Sequence, residues 1–91
     1  MTIKNILMYE DSYVKDFHSW KALFDDARPV REKYGFLKEF VFQDVDDPNH
    51  ISIVFEVESE DRAVEWMESD LLHEYLHRGG VIGIPRYAFR H

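Results

Sequence analysis

Ninety-one residues are enough for one hydrophobic core and no more, so residues 1–91 are read as a single domain. A formal net charge of -7, with the basic residues scattered singly, sets the chain against a phosphate backbone and excludes nucleic acid as an expected partner. The lack of cysteine rules out disulfides, a thiolate nucleophile and Cys-ligated metal. No apolar run reaches membrane-spanning length and Met1 to Tyr9 lacks a signal-peptide layout, so no membrane partner is expected and the cytoplasm is the expected compartment.

Ile3 to Tyr9 is rich in β-favouring residues and reads as a first strand, closed by a turn at Glu10-Asp11-Ser12. From Val14 to about Tyr34 the period changes. Phe17, Trp20, Leu23, Phe24, Ala27 and Val30 recur at three- and four-residue steps, one stripe of an amphipathic helix. Pro29 predicts a kink or restart, and Gly35 a left-handed stop. Phe36 to Val45 reads as a second strand, with Phe36, Phe40 and Phe42 on one face and Leu37, Val41 and Val45 on the other. Asp46-Asp47-Pro48-Asn49 is a turn, and Ile51 to Val57 returns as a third strand in a hairpin. A second helical region, Glu60 to about Arg78, is capped by Ser59 and changes phase near Ser69-Asp70, so two segments are expected. Gly79-Gly80 stops it, and Ile84 to His91 supplies a fourth strand with Pro85 at its start.

The order β, α, β, β, α, β specifies a ferredoxin-like α+β fold, a four-stranded antiparallel sheet with helices on one face. Two helices cover only one face, yet the strands are apolar on both: Val54 opposes Ile53 and Phe55. Packing the bare face on a second copy would remove the patch, so a homodimer is expected. The 45% hydrophobic and 15% aromatic content, high for so small a core, points the same way.

Three motifs carry a resemblance across nearly the whole chain. These are Val14-x-Asp16-Phe17-x-x-Trp20, Val45-Asp46-Asp47-Pro48-Asn49, and Gly80-Val81-x-Gly83-x-Pro85. Together they resemble the dimeric α/β-barrel superfamily, especially its antibiotic-biosynthesis-monooxygenase-like members. The resemblance implies a dimer whose two sheets form a barrel, with a ligand cavity between sheet and helices in each subunit. It also implies a choice of chemistries, since the superfamily holds cofactor-free oxygenases of activated aromatic compounds, polyketide cyclases and haem-handling enzymes.

His73-Glu74-Tyr75-Leu76-His77 is a literal H-E-x-x-H, a zinc-protease pattern in which the two imidazoles lie one helical turn apart. Gly83 stands where the third histidine of such a site would be. The helix's apolar face also points away from the pair, so no metal is expected there and the pair should face solvent or a partner. Arg31 falls inside the apolar stripe of the first helix. Aimed at a cavity it could bind an anionic substrate or an enolate; the plainer account is that Pro29 resets the phase and Arg31 snorkels at the helix end. His18 and His50 sit in polar settings, and Gly79 to Gly83 lacks the residues of a phosphate loop.

The leading expectation is a cofactor-independent monooxygenase-like or cyclase-like enzyme that takes a small apolar, aromatic or polyketide-type molecule between helices and sheet. Arg31 and Tyr87 would be its donors, and Trp66, Tyr75, Phe24 and Trp20 its walls. The alternative is a non-catalytic, small-ligand-binding or structural homodimer. No cofactor is called for. Haem would need an axial ligand from histidines that the pattern puts on outer faces.

Overall fold

The structure, a computed structural model, describes residues 6–91. In chain order they form β1 (Ile6–Val14), α1 (Phe17–Asp26), α2 (Arg28–Lys33), β2 (Phe36–Gln43), β3 (His50–Val57), α3 (Glu60–Met67), α4 (Asp70–Arg78) and β4 (Val81–Arg90). The strands make one antiparallel sheet in the order β2-β3-β1-β4, the expected ferredoxin-like arrangement. Both helical crossings are split in two.

The helix breaks follow from caps. Asp16 starts α1 by accepting the Ser19 amide at 2.9 Å. The break comes at Ala27, two residues before Pro29, which sits in the first turn of α2, where a missing amide donor costs nothing. Gly35 takes the left-handed conformation, φ +83°, that turns the chain into β2. In the second crossing, Ser59 accepts from Arg62 N at 3.2 Å and Ser69 from Leu72 N at 3.1 Å, one cap for each segment.

Three strand boundaries differ from expectation. β1 does not turn at Glu10 but runs on to Val14, because it is a central strand held by ladders to both β3 and β4, and these override the weak local preference of Glu-Asp-Ser. Its expected first residues, Ile3 to Asn5, lie outside the described ones. In β2 the register shifts between Phe36 and Lys38, so a bulge at Leu37 puts Phe36 on the helix side and Phe40 and Phe42 on the other. Val45 lies past the strand, 97% exposed. β4 begins at Val81, three residues early. Tyr13 pairs with Ile82 and Asp11 with Arg86, so Gly83, Ile84 and Pro85 bulge opposite Ser12 alone, and Gly83 takes φ +75°. Pro85 therefore sits inside the strand, at a bulge that tolerates it.

On the helix side, Met8, Ile51, Ile53, Phe55 and Val57 of the sheet pack against Trp20, Ala63, Trp66, Met67 and Leu72, all buried. On the far side Tyr9, Tyr13, Phe40 and Phe42 are about half exposed, at 44, 49, 54 and 55%. Among the described residues no helix is long and apolar enough to cross a membrane.

Candidate functional site

Between helices and sheet lies a cavity of about 50 Å³. Glu10 of β1 and Phe55 of β3 form its floor. Trp20, Leu23 and Phe24 of α1, Arg31 of α2, Trp66 of α3, and Leu72, Tyr75 and Leu76 of α4 complete it, with Ala27 at the α1–α2 break. The aromatic rings brace one another: Trp20 stacks on Phe24 with centroids 4.8 Å apart, and Trp66 lies against both Tyr34 at 5.2 Å and Tyr75 at 6.3 Å. Trp20, Phe24, Trp66 and Tyr75, separated by up to 55 positions in sequence, are thus brought to one cavity.

Two ionisable groups enter this apolar space. Arg31 is 3% exposed, so it does not snorkel; the short α2 turns it inward, and water is replaced by protein acceptors. Its Nη2 donates to Glu39 Oε1 and Oε2, both at 2.9 Å, its Nε to Oε1 at 3.2 Å, and its Nη1 to the Phe24 carbonyl at 2.8 Å. The guanidinium also lies 3.8 Å from the centroid of the Phe24 ring. Arg28 binds the same Glu39 from the solvent side at 3.0 Å. Burial pulls the Arg31 guanidinium below its usual range, and Glu39 opposes that pull. Even so, a guanidinium has five N–H groups, and one N–H of Nη1 is not needed by these partners.

Glu10 is the second group. Burial pushes its carboxyl up to about 7, although the Arg31 charge draws it back in part. A carboxyl poised near neutrality, a cationic donor and aromatic walls in one water-poor space are the components of proton transfer from a weakly acidic substrate. Sequence reasoning missed Glu10 because it lay in what reads as a turn. The signal was available: Met8, Glu10, Ser12 and Val14 alternate with Tyr9, Asp11 and Tyr13 at strand period, which puts the glutamate on the core side.

Tyr87 lies apart from that cavity. It is 38% exposed on β4, in register with Glu10, and lines a groove between α4 and β4 with Met67, Leu76, Val81 and Ile84. His73 and His77, both exposed, edge the same groove. His18 is exposed. His50 is more engaged than its polar setting suggests: Nε2 lies 2.8 Å from Asp11 Oδ1, Nδ1 3.7 Å from Asp44, and its ring stacks on Tyr13 at 4.2 Å. Ser52 Oγ donates to the same Asp11 oxygen at 3.4 Å. Here the aspartate stands between serine and histidine, so the histidine does not touch the hydroxyl as a nucleophile's base must.

No protein-family model and no curated protein matches this sequence. Solved structures do. A candidate antibiotic biosynthesis monooxygenase from Bordetella bronchiseptica superposes with a TM-score of 0.80 at 16% identity, covering 98% of this chain and 97% of that one. SnoaB, a cofactor-independent oxygenase from Streptomyces nogalater, gives 0.75 at 8% identity over 98% and 93%. A conserved protein from Methanosarcina mazei gives 0.69 at 16% identity over 94% and 90%. At such identities the likeness speaks to the backbone alone: the chain has the fold of antibiotic-biosynthesis-monooxygenase-like proteins.

Proposed function

We propose that the protein is a cytoplasmic, homodimeric, cofactor-independent enzyme of the monooxygenase or cyclase kind, acting on a small aromatic or polyketide-type compound. The observation that carries this reading is that Glu10, its carboxyl pushed up to about 7, and the buried Arg31 line one aromatic-walled cavity. Both reaction types begin with the same step, removal of a proton from carbon beside a carbonyl. Glu10 as carboxylate takes that proton, the spare Nη1 donor of Arg31 stabilises the enolate oxygen, and the rings of Trp20, Phe24, Trp66 and Tyr75 hold the flat substrate away from water. In a cyclase the enolate carbon would attack a second carbonyl of the same molecule. In an oxygenase dioxygen is the co-substrate: a CH₂ becomes C=O, the second oxygen atom leaves with both hydrogens as water, and the substrate supplies all four electrons. SnoaB, which shares the fold, is a cofactor-independent oxygenase, and this supports the reading. The homodimer is supported by the bare aromatic face of the sheet.

A non-catalytic homodimer, small-ligand-binding or purely structural, is the second reading, and the little room in the cavity favours its structural form. Hydrogen–deuterium exchange at the acidic CH₂ of anthrone separates the two. The enzyme reading expects the protein to accelerate exchange and Glu10→Gln to slow it by about 100-fold, the lower range for loss of a positioned base. No acceleration by the wild-type protein, or equal acceleration by Glu10→Gln, would refute it.

A further inference from the structure

The cavity is too small for the substrates its chemistry suits. Its volume is about 50 Å³, whereas a cavity of roughly 150 Å³ is known to admit benzene. The groove between α4 and β4, by contrast, holds about 420 Å³. One side chain, Leu76, contributes to both spaces, facing Glu10 and Arg31 on one side and Tyr87, Val81 and Ile84 on the other. The floors of the two spaces are also adjacent, because Glu10 and Tyr87 are register partners on β1 and β4, and such partners have their Cβ atoms about 5 Å apart.

We infer that the α4–β4 groove is the outer half of the substrate site, that Leu76 is the wall between the halves, and that the ligand is a fused or linked ring system. This rests on the reading of Glu10 and Arg31 given above. Rotation of Leu76 about its side-chain bonds merges the spaces without moving the backbone. The reacting ring then lies at Glu10 and Arg31, and the distal ring lies in the groove against Tyr87, Val81 and Ile84. His73 and His77, one turn apart on α4, edge that outer half and can hydrogen-bond a hydroxyl or carbonyl on the distal ring. Tyr87 thereby has a place in the site as a wall of the distal ring, one strand away from the reacting atoms.

Calorimetric titration with phenol and 1-naphthol tests this on the intact protein. Leu76→Ala should tighten both ligands. Tyr87→Ala and Ile84→Glu should weaken 1-naphthol by about tenfold, the worth of a modest apolar contact, and leave phenol within about twofold. Ile84 is 92% exposed, so its replacement keeps the test available even if Leu76→Ala fails to fold. If 1-naphthol ignores both groove changes, or if neither probe binds, the inference is overturned. Anthrone exchange that is insensitive to Glu10→Gln, together with groove-sensitive 1-naphthol binding, would instead sink the chemistry and leave the two-part site standing.

Discussion

The two faces of the sheet solve opposite problems with the same strands. On the helix side, β1 and β2 put Glu10 and Glu39 among apolar neighbours, where an ionised group must find a partner or give up its charge. Glu39 holds Arg31 and Arg28; for Glu10 burial outweighs the pull of the Arg31 charge, and its carboxyl rises to about 7. On the far side Tyr9, Tyr13, Phe40 and Phe42 stand half exposed, while Asp11, Ser52 and His50 satisfy one another at the margin. Charge under cover supports the proposed site, and apolar surface without cover supports the proposed homodimer.

The largest test of that contrast removes one member of the covered ion pair. Glu39→Ala leaves Arg31 buried and unpaired and should cost about 3–5 kcal/mol in chemical denaturation, whereas Arg31→Met keeps the apolar stem, leaves Glu39 with Arg28, and should be neutral to within about 1 kcal/mol. Equal losses for the two would mean that the pair is worth what an exposed one is.

Next is the pH dependence of Glu10. Its carboxyl deprotonates near 4.5 in the unfolded chain and near 7 in the folded one, so between those values the native state binds more protons and stability falls as pH rises. A shift of that size corresponds to roughly 3 kcal/mol at most, lost between about pH 4.5 and 7 and flat above. Glu10→Gln should remove this slope; denaturation midpoints taken at pH 5 and 7.5 check it.

The outer face is broken by Val54→Asp, which puts a charge between Tyr9 and Phe40 on the neighbouring strands. Light scattering should show a dimer replaced by a monomer, with an association penalty of about 2–3 kcal/mol for a desolvated charge. A dimer unaffected by this change would place the interface elsewhere. The smallest effect is expected of His73→Ala with His77→Ala, exposed positions on α4 whose joint loss should shift folding by less than about 0.5 kcal/mol each.

How legible this was in the sequence depended on the range of the forces involved. The helix break at Ser69, the stop at Gly35 and the hairpin at Asp46 to Asn49 are decided by caps and turns within a few residues, and they were readable from those residues. Trp20, Phe24 and Tyr75 lie on helical stripes that spacing reveals, and Trp66 stands off its stripe; the fold sets all four on one cavity. What escaped was set by neighbouring strands. The continuation of β1 through Glu10 depends on β3 and β4, and the bulge at Leu37 that reverses Phe36 depends on its pairing with Val57. Arg31 was noticed for standing in an apolar stripe, but its partner Glu39 lies across a helix-to-strand turn and could not be paired with it from spacing alone. Tyr87, expected beside Arg31 as a second donor, lies on β4 in register with Glu10 and lines the neighbouring groove, a placement that depends on strand pairing.

The bulge in β4 bears on how the protein assembles. β4 is an edge of the sheet, and an edge strand with a free row of amides and carbonyls is a template on which further strands can polymerise. In β4 the row is interrupted at its middle: Pro85 has no amide to offer, and the left-handed Gly83 with the extra residues opposite Ser12 bends the strand out of the straight path an added strand would need. Growth along the hydrogen-bonding direction is thus blunted at this edge, while the flat aromatic face stays open to a two-fold partner. An assembly built through the face closes on itself after two copies, and one built through the edge would have no natural end.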